Sequence, residues 1–402
     1  MTVIRNVNLM GTLTNLTIDD GRDSIIDAEG RLATPSFFDM HVHLENALSL
    51  NETGENESGT LEEAVERWAK VRDSLSLEEL KSRIKKALIL EIFNGVTHVR
   101  THADTCSRNL NSVKATLEVK EEMADFVDLQ VVAFPEQGVF NCGEESFKRA
   151  ATMADIIGGK PDGEDNEDLG KKQLELISSL SISLNKGIDA HIDQGDEPTR
   201  FSEYLLGLRN NHVALSHLTS IHSDSDEYVH RLIRLIKKRN ATVISSPLTS
   251  VFLNGRFDRY PKRRGITRIK QLLKEGVNVA LGHDDFQNPF FPFGYGDIIQ
   301  ALWAAILLDH LDFGEGLISL ITENARREWA LSTQSLPSED LVILDARSLR
   351  EQLSTLSPRF MVIRKGRIVA YSNRSGEVII NGSKVNPYEI LSQFGVEAKR
   401  KS

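Results

Sequence analysis

The chain has 402 residues, 40% of them hydrophobic, enough to bury the core of one large barrel with an appendage or of two to three ordinary domains. Its formal net charge of -10 argues against a polyanionic partner, since nucleic-acid binding needs a basic surface to displace counterions, and points to a small neutral or cationic substrate instead. No apolar run approaches the roughly 18 residues that span a bilayer; the start MTVIRNVNLM lacks a signal-peptide pattern and only Cys106 and Cys142 are present, so a cytoplasmic protein with buried free thiols is expected.

Residues 1–34 are short β-prone runs, Thr2 to Met10 and Leu13 to Ile18, broken by Gly11, Gly21 and Gly30, which predict a small sheet. From Pro35 strands alternate with amphipathic segments, the pattern of a parallel α/β architecture. Thr60 with Glu63 forms a capping box ahead of Leu61, Ala64, Val65, Trp68 and Val71, and Ser76 with Glu79 opens a second helix that Gly95 stops. Strands are expected at Phe37–Met40, Val96–Arg100, Leu129–Ala133, Asp155–Ile157, Ile188–Ala190, Val213–Leu215, Thr242–Ser245 and Val277–Leu281. Eight strands separated by helices predict a (β/α)8 TIM-like barrel over residues 35–334, whose chemistry sits on the loops beyond the strand C-termini. Asp162 to Asp168, DGEDNED, reads as a solvated acidic loop after the fourth strand. Leu341–Ala346 and Met361–Ser372 revert to β character, so residues 1–34 and 335–402 are expected to build one discontinuous β-sandwich from both chain ends.

His41 and His43 stand two apart, and on a strand residues i and i+2 share a face, so both imidazoles can converge on one cation. They follow strand one; His191 follows strand five, His217 strand six and Asp284 strand eight, which sets all five at one mouth. Imidazole nitrogens with one carboxylate suit one divalent zinc or ferrous iron, because calcium and magnesium prefer all-oxygen shells. A metal held this way brings the pKa of its water from 15.7 down to about 7 and makes hydroxide available at neutral pH. Asp284 can bind the metal and take the water proton, while His217 can hydrogen-bond the attacking hydroxide and stabilise the addition product. The expected reaction is hydrolysis at a carbon bound to nitrogen. Phe286, Phe290, Phe291, Phe293 and Tyr295 either pack their loop or stack on a flat heterocycle, and His98, Arg100, His102 and Asp104 share one face of strand two, either as layer-filling and bracing groups or as substrate contacts.

From HVHLE at His41 to about Ala370 the chain resembles the cytosine deaminase branch of the amidohydrolase superfamily. The segments that carry this are GTLEEAVERWA, HVRTHAD, LEVKEEMADFVDLQVVAFPEQG, GRFDRYPKRRGITR and GHDDFQNPFFPFG. The resemblance implies a mononuclear site with His41, His43, His191 and Asp284 as ligands, His217 near the hydroxide, Asp285 near the leaving amino group, iron or zinc as the metal, and a homo-oligomer. It implies a small nitrogen heterocycle and water as the reactants. Two departures bear on substrate. The family's His-x-Asp-Glu after strand five, whose Glu shuttles a proton to a ring nitrogen, reads His191, Ile192, Asp193, Gln194 here; its Pro-Gln-Glu after strand three, whose Gln reads the base edge, reads Pro135, Glu136, Gln137. Either Glu136 supplies the carboxylate that Gln194 lacks, or Glu136 and Gln194 together read a ring with inverted donors and acceptors. On either reading Glu136, Gln194, Asp285 and Phe290 contact substrate.

Three competing readings remain open on sequence. A binuclear cyclic amidase of the hydantoinase or dihydroorotase type would use Lys160, just beyond strand four, as a bridging lysine, although the flanking Gly159 and Pro161 argue against an inward aim. A hydrolase releasing a substituted amine from an aminotriazine-like ring would exploit the altered pocket. A non-catalytic binding module would follow from the loss of the shuttle Glu.

Overall fold

The structure, a computed structural model, describes residues 1–372 except 10, 20 and 22, together with 378–380 and 383–385. Eight parallel strands lie side by side in chain order: Phe37–Val42, Val96–Asp104, Asp128–Phe134, Ile156–Gly159, Ile188–Ile192, Val213–His217, Thr242–Ser245 and Asn278–Leu281. The eight-stranded α/β barrel expected from the alternation is present, and most of its strands run further toward the mouth than apolar character alone suggested. Val96–Asp104 shows why: every residue is buried, with Val99, Thr101 and Ala103 on one face and His98, Arg100, His102 and Asp104 on the other. An apolar cluster of Phe38, Met40, Ala214, Ile244, Ala280, Ala325 and Trp329 ties strands one, six, seven and eight to the helix Glu323–Thr333.

The barrel closes through backbone just beyond strand eight. Asp284 N donates to His41 O at 2.7 Å and His43 N donates to Asp284 O at 3.0 Å, around a parallel bridge between Val42 and Asp284. A Cβ on Gly282 would sit 2.4 Å from His41 Cβ and 2.6 Å from His41 O, so this approach requires a residue without a side chain. Closure and the position of His41 thus depend on the same few atoms.

The helix starts follow the caps read from sequence. Thr60 Oγ1 accepts from Glu63 N at 3.2 Å ahead of Leu61–Arg72, while the Glu63 carboxylate accepts from Glu57 N and Ser58 N and pairs with Arg67. Ser76 and Glu79 exchange bonds reciprocally, Ser76 N donating to Glu79 Oε2 at 2.9 Å and Glu79 N to Ser76 Oγ at 3.3 Å, ahead of Leu77–Phe93.

A second compact unit holds the described residues of Met1–Phe37, Ile92–Thr97 and Ser338–Ser402. Its seven-stranded sheet runs Arg367–Tyr371, Arg359–Arg364, Leu341–Leu344, Leu32–Pro35, Thr2–Leu9, Thr12–Ile18, with Ser24–Asp27 also paired to Thr2–Leu9. Its core is Ile4, Val7, Ile18, Ala28, Ala33, Ile343, Met361 and Ile363, contributed by both chain ends.

Two sequence expectations are corrected. Cys106 and Cys142 are not free thiols: strands two and three are neighbours, their outgoing loops bring the two Cα atoms to 4.7 Å, and the sulfurs are joined as a disulfide. The acidic segment is not solvated throughout, because Glu164 turns inward, where it accepts from Val139 N at 2.6 Å and Gln173 Nε2 at 2.5 Å; Asp165 to Asp168 stay exposed. No helix among the described residues is long and apolar enough to cross a membrane.

Candidate active site

Strand ends bring the histidines together. His41 Nε2 and His43 Nε2 each lie 3.1 Å from His191 Nε2, and Asp284 Oδ1 lies 3.4 Å from His41 Nε2 and 3.5 Å from His43 Nε2. His217 Nδ1 stands 3.8 Å from Asp284 Oδ2. All five residues are buried. His217 and Asp284 take left-handed backbone, φ 71° and 73°, a conformation costly for residues with a Cβ and concentrated where a side chain must be aimed.

A buried chain of hydrogen bonds fixes the state of His41. Ser216 Oγ gives its one proton to Asp189 Oδ1 at 2.5 Å, so toward His41 Nδ1, 2.9 Å away, it can only accept. His41 therefore carries its proton on Nδ1 and keeps the Nε2 lone pair facing His191 and Asp284. Asp189 is held in turn by Arg100 at 2.8 Å, which also reaches Glu328 at 3.1 Å. Burial raises the Asp189 pKa, yet His102 and Arg100 outweigh it and keep this carboxylate well below its usual range.

The donors suit a cation. Burial first, then neighbouring imidazoles, pushes His41, His43, His191 and His217 well below the ordinary histidine range, leaving neutral rings with lone pairs to offer. Burial, with the Glu136 charge adding to it, pushes the Asp284 carboxyl up to about 7, and a positive ion among these atoms would favour its ionised form. Two nitrogens bound at about 2.05 Å in a tetrahedral shell stand about 3.3 Å apart, close to the spacings found here. The residues fit a transition-metal ion. Zinc-type ligation commonly orients each imidazole through its second nitrogen; Ser216 does so for His41, while His191 Nδ1 takes no partner among the described residues.

Above these donors opens a cavity of about 210 Å³, lined by His43, Glu136, Lys160, His191, Gln194, His217, Asp284, Asp285 and Phe290, among others. It is smaller than a drug-sized site and suits a small ligand. Asp285 is anchored by Asn288 Nδ2 at 2.7 Å. The main-chain carbonyl of Gln194 accepts from Asn254 Nδ2 at 3.2 Å, and its buried side-chain Nε2 has no partner among the described residues. Of the aromatic run only Phe290 lines the cavity: Phe286 packs edge-on against His283, while Phe293 and Tyr295 are exposed. Lys160 does aim inward, contrary to the sequence expectation, and its Nζ lies 2.5 Å from Glu136 Oε1 with both side chains buried.

Residues 32–313 match the amidohydrolase family. The chain belongs to this family. The amidohydrolase is similar to the solved 5-methylcytosine deaminase from Klebsiella pneumoniae liganded with 5-fluorocytosine, at 32% identity and a TM-score of 0.86 over 95% of this chain and 100% of that one. Over 86% of its length it is 27% identical to the N-isopropylammelide isopropyl amidohydrolase of Pseudomonas sp. strain ADP, covering 87% of that protein. Over 85% it is 25% identical to the pterin deaminase of Rhizobium rhizogenes strain K84, covering 82%.

Two groups in or beside the site of this amidohydrolase escaped the sequence reading. Glu45, two residues past His43, is buried and accepts from Asp104 N at 2.9 Å; burial raises its carboxyl to about 8. Phe257, which lines the cavity, is 74% exposed and belongs to the loop after strand seven. Lys160, which the sequence placed just beyond strand four, directly follows that strand, and the strand-end position aims it into the cavity as it does the histidines.

Proposed function

We propose that this amidohydrolase removes the amino group of a cytosine-like nitrogen heterocycle by hydrolysis, with one zinc or ferrous ion per chain held by His41, His43, His191 and Asp284. The observation that carries the reading is the convergence of three neutral imidazoles and Asp284 beneath a small cavity whose wall offers Gln194, Asp285 and Glu136. When bound, the ion supplies Lewis acidity that makes water a nucleophile near neutral pH. Asp284 takes the proton from the attacking water and returns it to the departing nitrogen. His217, with Nε2 unpartnered among the described residues, donates to the oxygen as the ring carbon becomes tetrahedral. Gln194 Nε2 donates a fixed hydrogen bond to a ring nitrogen without transferring its proton. Asp285, fixed by Asn288, accepts from the leaving amino group, and Phe290 packs on the ring.

The engagement of Lys160 with Glu136 supports a single metal over a binuclear site, since a lysine committed to a carboxylate is not available as a bridge. Release of a substituted amine from an aminotriazine-like ring is the second reading, favoured by the likeness to the N-isopropylammelide enzyme and by a cavity rim at Phe257 that is open to solvent. Cytosine, isoguanine, pterin and alkylaminotriazines, offered to protein loaded with zinc or with iron and assayed for ammonia and for alkylamine, test the proposal. Ammonia from an aminopyrimidine with one metal equivalent is the expected result; alkylamine alone would favour the second reading, and two equivalents per chain would reinstate the binuclear one.

A further inference from the structure

The Glu136–Lys160 pair has no structural duty that explains its place. A buried ion pair is weak support for stability, because desolvating both charges offsets most of their attraction. This one lies in the cavity wall, 24 residues apart in sequence, on the outgoing ends of neighbouring strands three and four. An ammonium has three protons to donate and a carboxylate two oxygens to offer. Among the described residues the pair's one hydrogen bond is the 2.5 Å contact between Lys160 Nζ and Glu136 Oε1. The pair also stands near the metal donors. Lys160 Nζ is 5.8 Å from the Phe134 ring centroid, and that ring stacks on His191 at 4.0 Å.

We infer that Glu136 and Lys160 act together as the substrate-edge reader, presenting one acceptor and one donor side by side to a cis-lactam edge, a ring N–H next to a ring C=O. The inference rests on the reading of the site as a heterocycle deaminase and narrows its substrate class. Glu136 accepts from the ring N–H, and Lys160 donates to the neighbouring carbonyl. The couple is formally neutral, so it offers the hydrogen-bond pattern of one carboxamide from two charged side chains. A ring that lacks the carbonyl leaves the ammonium with unmet protons in a dry wall, which a pocket built for hydrogen bonding penalises heavily. Specificity for the lactam edge therefore comes from Lys160, a residue that touches none of the reacting atoms, and Glu136 is a binding group here, not a proton carrier.

The test compares cytosine, which has the N–H/C=O edge, with 4-aminopyrimidine, which lacks it, on metal-loaded wild type, Lys160→Met and the double variant Glu136→Gln/Lys160→Met. Wild type should prefer cytosine in kcat/KM by about 10²-fold. Lys160→Met should lose most of that preference, through KM more than kcat. The double variant restores a neighbouring donor and acceptor in one carboxamide, and it should recover the preference to within about tenfold, with turnover of cytosine still measurable. Because Lys160→Met leaves a buried carboxylate unpaired and can fail to fold, the double variant also serves as the decisive arm. An unchanged preference in folded Lys160→Met, or loss of kcat on every substrate in the folded double variant, overturns the proposal; the second outcome would make Glu136 the proton carrier. Calorimetric binding of uracil against 4-aminopyrimidine, which has no N–H/C=O edge, separates the two readings if wild type turns over neither amine. Selective uracil binding that Lys160→Met abolishes then sustains the edge reader while the deaminase assignment fails, and equal binding of both compounds sinks the edge reader.

Discussion

The bond from Ser216 to His41 makes the sharpest demand on the site. Ser216→Ala removes two bonds at once, the 2.5 Å donation to Asp189 and the 2.9 Å acceptance from His41 Nδ1, in a place where all three residues are buried. An unmet buried N–H costs about 1–3 kcal/mol and the lost bond to a charged carboxylate contributes a comparable amount, so a destabilisation of about 3 kcal/mol is expected. The consequence specific to this arrangement lies in the ligand. Without an acceptor at Nδ1, the proton of His41 is free to sit on Nε2, and metal affinity should fall about 10- to 100-fold, as it does when such orienting partners are removed elsewhere. Ser245→Ala is the matched control: Ser245 is as fully buried on the neighbouring strand, and it bonds Thr267 at 3.1 Å instead of a ligand. Competition against a chromogenic zinc chelator gives the affinities, and denaturant melts give the stabilities. If Ser216→Ala holds zinc as tightly as Ser245→Ala, His41 does not depend on this chain of bonds and the tautomer argument is wrong.

Gly282→Ala should be far worse than an ordinary surface change, because its Cβ would meet His41 Cβ at 2.4 Å; the expected outcome is a loss of several kcal/mol together with weakened metal binding, read by melting and by metal content. Chelation of the metal should abolish turnover and lower Tm, with both restored by zinc or by ferrous iron; unaltered activity in demonstrably metal-free protein would remove the mechanism. Glu45→Gln tests burial of a proton. The folded carboxyl titrates at about 8 and the unfolded one near 4.5, so between those values the unfolded chain has ionised while the folded chain still holds its proton. Wild type therefore loses this contribution as pH rises through that window, and glutamine, which cannot ionise, does not. The stability advantage of Glu45→Gln over wild type should grow by on the order of 1 kcal/mol per pH unit from pH 5 to pH 8 in denaturant titrations, and a flat difference would show that Glu45 is already ionised when folded.

Much of the barrel was legible because its signals are local. Parallel strands buried on both faces read as apolar runs, helices announce themselves by caps such as Ser76 with Glu79, and His41 and His43 need only the two-residue period of a strand to share a face. What was missed depends on register between strands. Ser216 braces His41 because strand six pairs with strand five opposite His191, and nothing within the six residues around Ser216 encodes that pairing. The same holds for the Cys106–Cys142 bridge and for Glu164, whose acidic neighbours suggested solvent while its backbone partners lie more than 20 residues away in sequence. A count of two cysteines or a run of acids describes composition, and composition does not report which loops the barrel places side by side.

The charges around the cavity form a pattern with its own consequence. Glu62, Glu136, Asp196, Asp284 and Asp285 line it against one lysine, and that lysine is committed to Glu136. A bound divalent ion offsets Asp284 and one neighbour, which leaves a wall that repels anions and has no excess positive charge with which to hold a carboxylate or phosphate on the substrate. A neutral ring, matched by hydrogen bonds and not by net charge, is the reactant such a wall accommodates, and its discrimination then has to come from the placement of single donors and acceptors. On the proposed reading, the partners of Gln194 Nε2, Glu136 and Lys160, and not the groups that would hold the ion, decide which heterocycle is turned over.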